Sequence, residues 1–208
     1  MIRFDPAVGR FVTVRADEPG PASFIVRGAA LDTRRRAPIS GDLRLSDDAA
    51  LASGHEAAHH LMAREFHVAR SAAWLWPNAE RNRICGVHKY ANPGDLYGIG
   101  ATMTALAGAV AEAILAGDTH VDDMASWVGT GDLMRANLRG IATADDLAAS
   151  QQWPGIARYL RHRLMNDSGG GLMTQWKADA DALRRDFRLG DVGRIAPPRD
   201  WHPGVIFG

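Results

Sequence analysis

The sequence predicts a mainly α protein, with one small β-hairpin beside its first long helix and a short β-rich segment ahead of it. Three observations carry this. From Asp47 to Phe66 there is no proline, and Ala, Leu, Met, Arg and Glu dominate, as suits a helix. Ile99 to Gly117 is a second such stretch, built mostly of Ala and Gly. Beyond it, helical segments with capping residues follow one another as far as Phe187, whereas β-rich runs lie only in residues 1–36 and 67–90.

Residues 1–40 read as an N-terminal β-rich segment and linker. Arg10 to Arg15 and Ser23 to Arg27 are the strand-like runs, separated by Glu18-Pro19-Gly20-Pro21, and a hairpin is expected between them. The main domain is expected over 41–189. Ser46-Asp47-Asp48 supplies an N-cap and first-turn acids for its first helix, whose inward face carries Leu51, Ala52, Met62 and Phe66. His67 to Trp76 then reads as a strand stopped by Pro77-Asn78, with Ile84 to Tyr90 as the antiparallel return. Asn92-Pro93-Gly94-Asp95 breaks the chain.

Ala101 to Ala116 is expected as an Ala-rich helix ending at Gly117, followed by a short polar helix near His120 to Trp127. A loop, Val128 to Gly131, precedes a helix from Asp132 to Leu138. Thr143 to Asp146 has the pattern of a capping box, Pro154 opens a helix through Leu164, and Leu172 to Phe187 forms the last one. Asn166 to Gly171 is a connector. The tail, 190–208, carries Pro197, Pro198 and Pro203 and is expected to be irregular and to wrap the surface.

Within the first helix stands Gly54-His55-Glu56-Ala57-Ala58-His59, a His-Glu-x-x-His pattern. Four residues of separation put both imidazoles on one helix face, where two neutral ring nitrogens can reach one divalent cation, normally zinc. Glu56, turned by about 100°, flanks that cation and can serve as general base for an activated water.

A catalytic zinc site takes three protein ligands, so a third is required. Glu112 is the only charged side chain on the Ala-rich helix, and a carboxylate on such a face is either partnered or functional. Asp132 follows Gly129-Thr130-Gly131 at a helix start. Glu80 sits in a turn-like stretch that favours a solvated acid, and His88 and His120 belong to no motif. Spacing alone leaves Glu112 and Asp132 both open.

Taken in order, His55-Glu56-Ala57-Ala58-His59, Ala107-Gly108-Ala109-Val110-Ala111-Glu112 and Gly129-Thr130-Gly131-Asp132-Leu133 resemble the peptidase domain of FtsH-type zinc metalloproteases. That family joins a His-Glu-x-Gly-His helix, a β-hairpin, an Ala-Gly-x-x-Ala-Glu helix and a Ser/Asn-Asp-Leu helix. The likeness spans roughly Ser46 to Ala149. It implies a helical metallopeptidase core in which His55, His59 and Asp132 hold zinc. It implies Glu56 as catalytic base, and Glu112 as a packing acid or one that supports a ligand from behind. Ala58 stands where the family has Gly, and Gly131 where it often has Ser or Asn. There is no Gly-x-x-x-x-Gly-Lys-Ser/Thr loop in these residues, so a peptidase domain without the family's ATPase module and membrane anchor is expected.

The expected activity is therefore a zinc-dependent, ATP-independent endopeptidase acting on peptides or flexible protein segments. The alternative is a non-catalytic zinc-binding interaction or regulatory protein of the same fold. Equal numbers of basic and acidic residues point to neither a nucleic-acid nor an anionic-membrane partner. Cys85, the single cysteine, cannot form an internal disulfide, and Met1 to Asp5 is unlike a signal peptide; both fit a cytoplasmic protein. The family's ring assemblies leave a homo-oligomer open.

Overall fold

A computed structural model of the chain describes residues 2–5, 10–13, 47–78, 83–92, 97–118 and 120–201. It is mainly helical, with a small three-stranded antiparallel sheet. At the N-terminus, β1 (Ile2–Asp5) pairs antiparallel with β2 (Arg10–Thr13). The strand over Arg10–Thr13 thus forms where expected, but it pairs with the residues ahead of it. Its expected partner, Ser23 to Arg27, lies outside the described residues.

Helix α1 (Asp47–Glu65) is the centre of the main body. The sequence suggested one inward face; the structure buries the helix nearly all round, from Ala57 to Ala63 without interruption. It lies among α2 (Gly98–Leu115), the sheet and α7 (Met173–Asp186), so small residues are needed on several faces. Ala57, Ala58 and Ala63 are completely buried, and the Trp176 indole N–H of α7 donates to the Gly54 carbonyl at 2.9 Å. Asp48 has a longer reach than a first-turn acid: its carboxylate accepts the backbone N–H of Ile84 and so ties the helix start to the sheet.

The chain leaves α1 through His67, which adopts a left-handed φ of 62°, while the Val68 N–H closes on the Ala63 carbonyl at 2.9 Å. This helix-stop delays β3 (Ser71–Asn78) by four residues from its expected start at His67. Strand β4 (Arg83–Tyr90) returns antiparallel, with Ala73 opposite His88 and Leu75 opposite Gly86. A third strand was not foreseen. β5 (Arg188–Gly190) pairs with the other edge of β3, making the sheet order β4-β3-β5.

Alternation gives the sheet two faces. Ala73, Leu75 and Ile84 share a core with Ala49 of α1 and Leu183 of α7. Ala72, Trp74 and Trp76 point the other way and are covered by Val192, Ile195 and Trp201 of the tail. The Trp201 indole N–H donates to the Leu75 carbonyl at 3.1 Å, so the tail does wrap the body, as far as it is described. Pro203 lies outside the described residues.

Below the hairpin, α2 brings the second wall of the core. It is long and apolar enough to cross a membrane by composition, yet most of it is buried inside the protein. The remaining elements are α3 (Val121–Met124), a 3-10 turn (Ala125–Trp127), α4 (Thr130–Ala136), α5 (Ala144–Ala149) and α6 (Trp153–Met165). The expected capping box is present. Thr143 Oγ1 accepts the Asp146 N–H and the Asp146 carboxylate accepts the Thr143 N–H, each at 3.0 Å. Pro154 stands in the first turn of α6, as expected. Helix α4 starts two residues before Asp132 and ends at Ala136, two residues earlier than expected, where Asn137 turns left-handed with a φ of 50°. Trp153, Leu160 and Leu164 complete the main core with Leu106 and Val110 of α2.

His60 links α1 to the sheet and carries a pH signature. Its Nδ1 is hydrogen-bonded to Ser71 Oγ at 2.9 Å. Burial first, then the Arg64 charge, lower its pKa to about 4 against a partial opposing pull from Asp191. Below pH 6.5 the unfolded chain takes up a proton that the folded chain refuses until about pH 4. Stability should therefore fall as pH drops through that window, by about 1.4 kcal/mol per pH unit at most from this residue. Denaturant midpoints of wild type and His60→Gln, measured from pH 7 to pH 4.5, check this: the wild-type advantage should shrink on acidification. An unchanged difference would contradict it.

Candidate metal centre

Three segments far apart in the chain converge beneath the hairpin. His55 and His59 leave α1 one turn apart, with ring centroids 4.6 Å from each other and their Nε2 atoms 2.9 Å apart. Asp132, buried in the first turn of α4, brings an Oδ1 to 3.9 Å from His59 Nε2. One ligand atom from each of His55, His59 and Asp132 lies within 4.8 Å of the others, so the group can hold a metal ion. The donor chemistry suits one. His59 Nδ1 sits 2.6 Å from the Thr104 carbonyl, which can only accept, so Nδ1 carries the proton and Nε2 keeps its lone pair. His55 Nδ1 faces the Glu112 carboxylate at 3.4 Å, and the same logic turns its Nε2 lone pair toward His59. Two lone pairs at 2.9 Å repel unless a cation or a proton stands between them.

Glu112 is therefore placed behind His55 and outside the convergent group; its buried carboxylate is partnered, as its place on an apolar helix required. Glu80 lies outside the described residues. His120 is exposed at the start of α3 and lines no part of this cavity. His88, which no motif singled out, faces the site from β4. Its ring is stacked toward His59 at 6.1 Å, and Tyr90 meets it edge-on at 4.9 Å. A cavity of about 150 Å³ opens among His55, Glu56, His59, His88, Asp132 and Arg135.

Electrostatics at the site follow from burial and crowding of charge. Burial disfavours the charged form of His55, but the Glu112 hydrogen bond and the charges of Glu112, Glu56 and Asp132 outweigh it and lift the pKa to about 9. For His59, burial and the neighbouring His55 charge act together and bring the pKa down to about 3. Glu56 is pushed up to about 7, chiefly by burial, with His55 pulling the other way. Asp132 is also raised by burial, against the pull of His55 and Arg135. Arg135 Nη1 stands 3.5 Å from Asp132 Oδ1.

Two glycines make the arrangement fit. A Cβ on Gly86 of β4 would lie 2.5 Å from Glu56 Cγ and 2.6 Å from its Oε1, so the carboxylate rests directly against strand backbone. A Cβ on Gly108 of α2 would lie 2.5 Å from Nε2 of both His55 and His59. Neither role is visible without the crossing of α1 with α2 and β4. No protein-family model, curated protein or solved structure matches the chain.

Proposed function

We propose that the chain is a zinc-dependent, ATP-independent endopeptidase of the FtsH-peptidase type, acting on peptides or flexible protein segments. The observation that carries this is the convergence of His55, His59 and Asp132 with Glu56 on the wall of the same cavity. Two imidazoles and one carboxylate are a donor set suited to zinc that leaves a position for water or substrate. When bound there, zinc would supply Lewis acidity, bringing the pKa of a water toward about 7 and favouring negative charge on a carbonyl oxygen. The chain's own residues do the rest. Glu56, balanced near neutrality by burial, accepts a proton from the attacking water and passes it to the departing amine. The two histidines, held from behind by Thr104 and Glu112, and Asp132 beside Arg135 fix the direction from which that water comes.

Strand β4 supports the substrate class. It is an edge strand of the sheet among the described residues and lines the cavity through Gly86, Val87, His88 and Tyr90, so an extended peptide can add to its edge by main-chain hydrogen bonds. The cavity, about 150 Å³ and lined largely by polar side chains, has room for a main-chain amide.

Zinc content per chain, measured for wild type and Asp132→Ala, together with digestion of casein in the absence of ATP, tests the reading. About one zinc in wild type, a large loss in Asp132→Ala, and cleavage that a chelator stops are the expected results. Equal zinc in both would remove Asp132 from the site. Zinc-loaded wild type that leaves casein intact would favour the non-catalytic zinc-binding alternative.

A further inference from the structure

We propose that His88 is a catalytic residue whose Nε2–H hydrogen-bonds the carbonyl oxygen of the scissile peptide as negative charge develops on it. This deepens the endopeptidase reading and rests on it. His88 Nε2 is buried and has no hydrogen-bond partner among the described residues, and we place the ring proton on it. Such an atom costs the fold about 1–3 kcal/mol, so a native structure retains it where something else completes it. The position says what that is. Register puts His88 opposite Ala73, on the sheet face turned toward α1, two residues from the Gly86 that accommodates Glu56. Its ring lies nearly parallel to that of His59, 12° apart in plane, at a centroid distance of 6.1 Å. That separation is too wide for ring contact, and both rings line the same cavity. Tyr90 and His60 meet the ring edge-on at 4.9 and 5.8 Å and hold it upright at the cavity wall.

The chemistry balances without a further reagent. Water adds its oxygen to the carbonyl carbon while Glu56 takes one of its protons. The carbonyl oxygen becomes negative and accepts the hydrogen bond from His88, which keeps its proton throughout. Glu56 then protonates the amide nitrogen, the C–N bond breaks, and the products are a carboxylic acid and an amine. His88 stabilises charge and transfers nothing, the role of a preorganised donor.

The test uses the zinc-loaded full chain and a fluorogenic peptide built around a bond first mapped in casein. His88→Phe keeps the ring and removes the N–H; His88→Gln keeps an N–H. Removing one such donor costs about a hundredfold in kcat, so His88→Phe should show that loss with KM within about threefold and zinc content unchanged. His88→Gln should recover part of kcat. The metal-free His88→Phe protein should melt no lower than wild type, because an unpaired buried polar atom has gone; a purely structural histidine would lower it. Wild-type kcat in His88→Phe, or a kcat loss that comes with zinc loss, overturns the proposal. Should His88→Phe fail to fold, the same comparison with the adaptable His88→Met decides. If zinc-loaded wild type and Glu56→Gln are equally inert, the endopeptidase reading falls and His88 falls with it. If wild type cuts, Glu56→Gln does not, and His88→Phe cuts fully, this proposal alone has failed.

Discussion

Glu56→Gln should lose peptide cleavage by about a thousandfold while keeping the metal. Glutamine matches glutamate in shape and still fits beneath Gly86, where the wild-type carboxylate rests against the β4 backbone. What it cannot do is accept a proton. Glu56 is outside the group of convergent ligand atoms, so zinc content should stay near that of wild type. The same substitution should make the metal-free protein more stable above neutral pH. Burial raises the Glu56 pKa from 4.5 to about 7, so the folded chain binds a proton that the unfolded chain releases between those values. Wild-type stability is therefore lost as pH rises through that window, and glutamine escapes the loss. Steady-state kinetics, metal analysis and denaturant unfolding at pH 8 check all three. Turnover by Glu56→Gln near the wild-type rate would show that another group is the base.

That prediction could be written from sequence because its causes are local. Four-residue spacing alone puts His55 and His59 on one face, and the next position alone puts Glu56 beside them. The Thr143–Asp146 capping box and Pro154 were legible for the same reason, since each helix start depends on residues within one turn. Asp132 was not local. Only likeness to an ordered set of motifs raised it above Glu112, and the structure then separates the two by placing one in the convergent group and the other behind His55. β5 was illegible because three residues carry no pattern; the open edge of β3 makes Arg188–Gly190 a strand. Nor could His88 be weighed, because its place depends on how β4 registers against β3 and on where α1 lies below. The burial of α1 on all sides escaped a reading by stripe, because small alanines register weakly as apolar although they are what lets neighbours approach.

Gly108→Ala should abolish tight metal binding while leaving the fold in place. On helix propensity alone the change is favourable by about 1 kcal/mol, because Ala is the better helix former. The added methyl, however, would lie 2.5 Å from Nε2 of His55 and of His59, where no side-chain carbon can remain. The rings cannot simply retreat. Thr104 and Glu112, one helical turn before and after Gly108 on the same face of α2, hold His59 by its Nδ1 at 2.6 Å and His55 by its Nδ1 at 3.4 Å. One stripe of α2 thus sets both tautomers and leaves, between its two anchors, the space into which the lone pairs point. A methyl there forces a choice between losing an anchor and losing convergence. Loss of such supporting contacts costs about 10–100-fold in metal affinity, and displacing both donors together should reach at least the upper end. Competition for zinc against a chromophoric chelator measures it, with circular dichroism to show that the helices persist. If Gly108→Ala bound zinc as tightly as wild type, α2 would have to stand off from α1, and the tautomers assigned through Thr104 and Glu112 would lose their basis.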